Sequence, residues 1–392
     1  MSNAEARASF TVGHLPALDG LRGIAVLLVM GHHILQPFLG GPALADSITS
    51  VASIGWIGID LFFVLSGFLI TGILYDTKGS PGFWRNFYIR RGLRIFPLYY
   101  VFLALLCLIL PHLAPDDTAK IAELRGACPW YWSYLANFYM AQHGPGPFNT
   151  AHLWSLSVEE QFYLMWPTIV FLVERRTLLR LCAAAIAGAA LCRMGFMYFG
   201  ASSDTIYVML PTRVDSIAVG AWIALTVRSP SGAHLIRRFA PVVAGLSAAV
   251  LLLLLALAPG NLSTAAPFMR TAGYTLNAVL FGGVSAMALV RPRPRRKGGS
   301  LESPVLRFFG RHSYALYLVH PLVYGVFKRL GLGGALEPLV SLPGPIQVPI
   351  WLTMNGAVAI VLSLVAWYGV ERPFLRLKNR FPTRVATLTS AP

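Results

Sequence analysis

Long apolar runs alternate along the chain with short polar clusters. Ten runs are long enough, at about 18 residues or more, to cross a bilayer as a helix. They are 22–39, 56–75, 94–113, 154–173, 181–200, 209–227, 239–258, 272–290, 313–330 and 350–370. Together they take up half the chain and leave only short connections. The pattern predicts an all-α, polytopic membrane helical bundle of about ten transmembrane helices, with no second folded domain. The longest gap, 114–153, holds the aromatic run Pro129–Met140, which reads as an interfacial or re-entrant segment. The expected layout is a disordered N-terminus over 1–13, a membrane domain over 14–376 and a tail over 377–392.

Composition agrees with a membrane protein. Only 12% of residues are charged and 56% are apolar, with a mean hydropathy of +0.61, whereas a soluble domain carries about 25% charge. The net charge of +16 invites a nucleic-acid reading, but its placement argues otherwise. With the N-terminus inside, the alternate inner segments hold 25 of the 32 Lys and Arg residues. The outer segments hold three, Lys120, Arg125 and Arg270. That asymmetry puts both termini in the cytoplasm and makes the high pI a topology signal rather than a sign of nucleic-acid affinity. Arg291–Lys297 is then a cytoplasmic stop signal near anionic lipid. Arg7, the run from Ile24 and Ala43-Leu44-Ala45 resemble a cleavable signal peptide. The length of the run, and His32 and His33 within it, favour a retained span. Four cysteines, with Cys107, Cys182 and Cys192 inside apolar runs, predict neither a disulfide framework nor a metal site. No long internal repeat is apparent, which weakens a transporter built from inverted halves.

A charge at the centre of a spanning helix costs about 2.5–3.5 kcal/mol on insertion scales, so such residues tend to face cavities and partners. Here they are His32, His33, Asp60, Glu159, Glu160, Arg193, Arg213, Asp215 and His320. Arg22 and His33 are eleven residues apart, which is three helical turns plus about 20° and about 16 Å of rise. They share a face that leads from a cationic edge to a mid-membrane imidazole; His32 is turned away by about 100°. Arg91 and Arg94 are neighbours on a helix, with Arg90 facing Arg94, and a fork of guanidinium groups suits phosphate. A positive-inside anchor is the plain alternative. Glu159 shares a helix face with Ser155 and Tyr163, whereas Glu160 points about 100° away, so one carboxylate at most is expected in a given site. Glu159 is placed to orient a histidine or to act as a base, the alternative being a salt bridge to Arg193 or Arg213. Asp60 reads as a site residue or a buried counter-ion. Arg213 and Asp215 point to opposite sides of a helix, so each needs a partner elsewhere.

Taken in order, these residues form a constellation that resembles the acyltransferase-3 family, integral membrane O-acyltransferases of bacterial surface sugars. Four motifs carry the resemblance: Arg22-x10-His33, Gly58-x-Asp60-Leu-Phe-Phe-x-Leu-Ser-Gly-Phe, Arg91-x-x-Arg94 and Ser157-Val-Glu159-Glu-Gln-Phe-Tyr163. Weaker matches are Arg213-x-Asp215 with Gly220, Ser313–His320 and Glu371-Arg-Pro-Phe, so the likeness covers roughly 14–376. It implies a ten-span domain in the bacterial plasma membrane, an acyl-CoA donor from the cytoplasm and a carbohydrate or glycolipid acceptor. It also places His33 at the reaction centre and the coenzyme on Arg91 and Arg94, with Arg22 as the family's first-span arginine. Some relatives carry an added extracytoplasmic esterase-like domain; only about 16 residues follow Arg376, so none is expected here.

The residues and the resemblance converge on one expectation. Acyl-CoA docks on Arg22, Arg91 and Arg94, and His33, oriented by Glu159, acts as general base on a sugar hydroxyl. Direct attack on the thioester and a transient acyl-histidine both remain open. Asp60, Glu160, Tyr163, Arg213, Asp215 and His320 are expected in support. No metal is expected, and the default acyl group is acetyl. A secondary transporter or flippase for a lipid-linked glycan is the competing class, because the same intramembrane groups suit a proton relay.

Overall fold

The computed structural model describes residues 15–38, 52–113, 115–257, 262–290, 300–323 and 343–381, and every regular element among them is helical. In chain order they are α1 (Pro16–Leu35), α2 (Gly58–Thr77), α3 (Phe83–Ala104, running on through a π turn to Leu113), α4 (Thr118–Trp132), α5 (Ala136–His143), α6 (Leu153–Leu172) and α7 (Arg175–Tyr198). Then come α8 (Ser203–Val208), α9 (Leu210–Thr226), α10 (Gly232–Leu257), α11 (Tyr274–Val290), α12 (Pro304–Arg311), α13 (Ser313–Val319), α14 (Gly344–Ala366) and α15 (Arg372–Leu377).

Eight helical stretches among the described residues are long and apolar enough to cross a membrane: α1, α2, α3, α7, α8 with α9, α10, α11 and α14. They coincide with eight of the ten expected runs. The ninth is α6, 20 residues long, whose Glu159-Glu160-Gln161 lowers its hydropathy. The tenth run starts as the seven-residue α13 and breaks at Pro321, which lacks a backbone N–H for the helix. Its remainder, 324–330, lies outside the described residues, as do Arg291–Lys297, the N-terminal segment 1–13 and residues 382–392 of the tail. Large apolar side chains face outward on α7 and α10, with Leu191 64% and Leu246 65% exposed, as a lipid-facing surface requires.

α2 and α9 meet backbone to backbone. A Cβ on Gly67 would fall 2.0 Å from the Ile217 carbonyl oxygen, and one on Gly220 1.9 Å from that of Val64. Only glycine allows this approach, the small-residue mode by which helices pack in lipid. It explains two glycines of the expected motifs as packing residues. Two fully buried ion pairs tie the same region together. Arg213 reaches Asp60 at 2.7 Å, and Arg193 reaches Asp215 at 2.9 Å. Asp60 also accepts from Ser216 at 2.8 Å, and Arg193 donates to the Thr271 and Thr212 carbonyls. Tyr274 lies under the Arg213 guanidinium at 4.2 Å. Arg213 and Asp215 do point apart and find separate partners. The salt bridge considered for Glu159 is absent, because Asp60 and Asp215 take both arginines.

The segment 114–153 folds into α4, α5 and a 3-10 turn, Pro147–His152. Pro129–Met140 forms the end of α4, a turn with Tyr134 at φ 55° and the start of α5. Contrary to the sequence expectation, two cysteines are bonded. Cys107 and Cys128 form a disulfide that staples α3 to α4, with Cα atoms 6.2 Å apart. The expectation failed because α4 folds back along α3, a tertiary event that cysteine spacing does not encode.

Candidate active site

Two cavities lie end to end along α1. The first, of about 90 Å³, sits toward the end where α1 begins and is lined by Arg22, Arg91, Arg94, Glu159, Glu160 and Tyr163. They come from three stretches of chain: α1 supplies Arg22, α3 the two arginines, and α6 the carboxylates and Tyr163. The i, i+4, i+8 spacing of Ser155, Glu159 and Tyr163 puts all three on this wall. Glu160 lines the cavity as well, so the expectation of a single carboxylate is corrected. The cavity wraps far enough around α6 to take in residues about 100° apart. Arg91 stacks on the Tyr163 ring at 5.4 Å, and the Tyr163 hydroxyl is hydrogen-bonded to Ser66. Glu159 interacts with the Tyr163 and Ser66 hydroxyls and electrostatically with Arg91 and Arg22.

The structure sorts the three arginines of α3. Arg90 donates to the carbonyls of Lys378 at 3.0 Å and Phe381 at 2.8 Å, so it anchors the C-terminal helix. Arg91 and Arg94 are left to the cavity. Lys378 adds a fourth cation that interacts with Arg22, Arg91 and Arg94. Beyond its place in a basic segment, Lys378 carries no signal in the sequence. Glu371, 2% exposed, interacts with Arg94 from the same side.

The second cavity, of about 490 Å³, lies toward the end where α1 finishes. It is lined by His32, His33, His152, His320, Asn149 and Trp351, among others. His32 belongs to this chamber along with His33, although the two point apart on α1; its Nδ1 donates to the Ala52 carbonyl at 2.9 Å. His152 was missed by sequence reading; it directly precedes α6 in His152-Leu-Trp-Ser155. Burial pushes His152 down to about 4, so it is neutral at pH 7.

His33 is oriented by His320, not by the expected Glu159, which belongs to the other cavity. The His33 Nδ1 lies 2.9 Å from the His320 Nε2, and the His320 Nδ1 lies 2.9 Å from the Leu316 carbonyl oxygen. A carbonyl can only accept, so the neutral His320 carries its proton on Nδ1 and offers a lone pair at Nε2. That lone pair takes the proton of His33 Nδ1. The His33 Nε2 is left with a bare lone pair and, among the described residues, no hydrogen-bond partner. A general base needs this form. α13 makes the arrangement possible: it presents Tyr317 and His320 three residues apart, and Pro321 ends it there. Among the described residues no group of histidine, cysteine and carboxylate side chains is placed to hold a metal ion.

Asp60, Arg213 and Asp215 are not brought to either cavity; they form the buried ion pairs between helices. Arg22, Arg91, Arg94, Glu159, Glu160 and Tyr163 are brought together, and His33 is brought to His320.

The chain matches the family model described as "Acyltransferase domain" over residues 15–368. It is 28% identical over 387 residues to the peptidoglycan O-acetyltransferase OatA of Listeria monocytogenes, covering 94% of this chain and 56% of that protein. It is 26% identical over 380 residues to a Staphylococcus aureus protein provisionally named as an O-acetyltransferase, covering 92% and 57%. A Bacillus subtilis protein, YrhL, provisionally named as a peptidoglycan O-acetyltransferase, is 28% identical over 391 residues, covering 92% and 55%. The chain thus spans about half the length of the relatives it matches. No solved structure matches it.

Proposed function

Since the chain belongs to the acyltransferase-3 family, we propose that it is a multi-pass O-acyltransferase of the bacterial plasma membrane that moves an acetyl group from acetyl-CoA to a hydroxyl of a peptidoglycan-type or other cell-surface glycan. The observation that carries the reading is His33, which lines one cavity with its Nδ1 engaged by His320, while an arginine cluster lines the cavity beside it. Arg22, Arg91, Arg94 and Lys378 fit the phosphates of a coenzyme A donor, since clustered guanidinium and ammonium groups form charge-assisted hydrogen bonds to phosphate oxygens. Glu159 and Glu160 balance the arginines before the donor arrives and hold the fork in place. The acceptor is taken from peptidoglycan because the Listeria relative is named for it.

The reaction runs through His33. Its Nε2 takes the proton of the acceptor hydroxyl as the oxygen attacks the thioester carbonyl. The C–S bond then breaks, and the imidazolium returns the proton to the leaving thiolate. The product is the sugar ester, and coenzyme A departs as the free thiol. General-base catalysis of this kind is worth about 10²–10⁴-fold. The membrane domain spans 14–376, with both termini and the arginine cavity on the cytoplasmic side. The distribution of basic residues supports this orientation, as does the disulfide toward the opposite end, where an oxidising compartment maintains it.

The test uses the full chain in lipid nanodiscs with acetyl-CoA and an N-acetylglucosamine oligosaccharide, following thiol release and the mass of the glycan. Acceptor-dependent thiol release, and a glycan heavier by one acetyl group, are expected. His33→Ala should insert normally and lose about 10²–10⁴-fold of the rate. Full activity in that variant removes His33 from the chemistry, and glycan flux without thiol release moves the reading to transport.

A further inference from the structure

The two cavities share no lining residue. A single layer of side chains separates them. Ser155 and Tyr317 belong to the arginine cavity, and His152 and His320 to the histidine chamber. The Ser155 Oγ and the Tyr317 hydroxyl are 2.5 Å apart, and each lies 3.1 Å from the His152 carbonyl oxygen. Each hydroxyl has one proton, so one donates to the carbonyl and the other to its hydroxyl neighbour. The Tyr317 ring fills the layer. It packs at 5.9 Å on Phe62, which faces the arginine cavity, and at 5.7 Å on His152, which faces the chamber. Ser155 is 4% exposed and Tyr317 6%, so both side chains are buried where the two cavities adjoin.

A thioester held by the arginines and the His33 Nε2 are therefore on opposite sides of one tyrosine. This inference rests on the acyl-transfer reading above. We propose that Tyr317, latched by Ser155 and the His152 carbonyl, is a gate through which the acyl group enters the histidine chamber, and that its ring sets the acyl length the enzyme accepts. The latch consists of hydroxyl hydrogen bonds that a thioester carbonyl or chamber water can replace. The ring can move by side-chain rotation, with no helix displaced. While it is shut, water in the chamber is kept from the bound donor. When it is absent, water adds to the thioester carbonyl, the C–S bond breaks, and the carboxylic acid and free coenzyme A are released without transfer.

The two functions of the side chain separate in two variants. Tyr317→Ala removes ring and latch; Tyr317→Phe keeps the ring and loses the latch. With acetyl-, butyryl- and hexanoyl-CoA as donors, the preference for acetyl in kcat/KM is expected to fall at least about tenfold in Tyr317→Ala and to persist in Tyr317→Phe. Thiol release without acceptor, relative to transfer to an N-acetylglucosamine oligosaccharide, is expected to rise about tenfold in Tyr317→Ala and a few-fold in Tyr317→Phe. Wild-type chain-length preference and coupling in Tyr317→Ala overturn the gate. Should Tyr317→Ala not be recovered folded, Ser155→Ala replaces it, and an unchanged ratio of hydrolysis to transfer there overturns the latch. A chain that turns over no acyl-CoA defeats the acyl-transfer reading but not the gate, which has its own readout. In an Ile59→Cys background the new thiol lies in the arginine cavity. A membrane-impermeant thiosulfonate added on the chamber side should label it only when the Tyr317 ring is gone; equal labelling with and without the ring overturns the gate.

Discussion

Replacing His320 tests the proton arrangement at the reaction centre. The perturbation is His320→Ala, which removes the acceptor 2.9 Å from the His33 Nδ1. One hydrogen bond between neutral groups contributes about 1–1.5 kcal/mol net. At about 1.4 kcal/mol per factor of ten, that biases His33 toward the tautomer with a bare Nε2 by about five- to tenfold. The freed ring also loses its fixed direction, so kcat is expected to fall about 10–100-fold. The ceiling is the loss in His33→Ala, about 10²–10⁴-fold for a general base. The donor KM should not move, because the arginine cavity is untouched. His320→Gln should recover much of the loss, since its amide oxygen can accept the same proton. In the double variant His33→Ala with His320→Ala, the second change should add nothing, as expected of groups that act as a unit. The assay is thiol release over a donor concentration series. Equal losses in the alanine and glutamine variants, or a double variant slower than His33→Ala alone, would refute the tautomer argument.

Other outcomes follow from the packing. Arg213→Ala leaves Asp60 buried without its counter-charge and should cost about 3–5 kcal/mol, read as loss of monodisperse protein on fluorescence-detected gel filtration; Asp60→Ala with Arg213→Met together should be milder. Arg91→Ala with Arg94→Ala should raise the donor KM more than the acceptor KM, whereas Arg90→Ala should leave the donor KM unchanged and lower thermal stability through the C-terminal helix; an unchanged donor KM in the first pair would end the phosphate role. Cys107→Ser opens a 21-residue loop and should cost about 3 kcal/mol, seen as a lower Tm that reductant reproduces in the wild type.

The spans were legible because hydrocarbon forces every backbone polar group into a helix, so apolar run length reads directly as structure. The opposed directions of Arg213 and Asp215 followed from helical geometry, and so did the shared wall of Ser155, Glu159 and Tyr163. What failed needed knowledge of the space around a helix. Whether Glu159 and Glu160 share a cavity depends on how far that cavity reaches around α6, and a single sequence does not carry its width. The face that Glu159 shares with Ser155 and Tyr163 does place it in a cavity, yet Tyr317 and Ser155 stand between that cavity and His33. Arg90, Arg91 and Arg94 look alike in a basic cluster; only the folded C-terminal helix separates the anchor from the pair left to the cavity. His152 and the Cys107–Cys128 bond depend on how the segment 114–153 folds back, for which its composition gave no rule.

The pairing of Asp60 with Arg213 also bears on how the chain is made. The two residues are 153 positions apart, and ribosomes add about 5–20 residues per second. The aspartate is therefore synthesised about 8–30 s before its arginine emerges. During that interval the second span sits in or beside the translocon with an unmatched carboxyl group. Nascent chains arrested before position 213 carry this liability permanently, and should be the ones that membrane quality-control proteases clear.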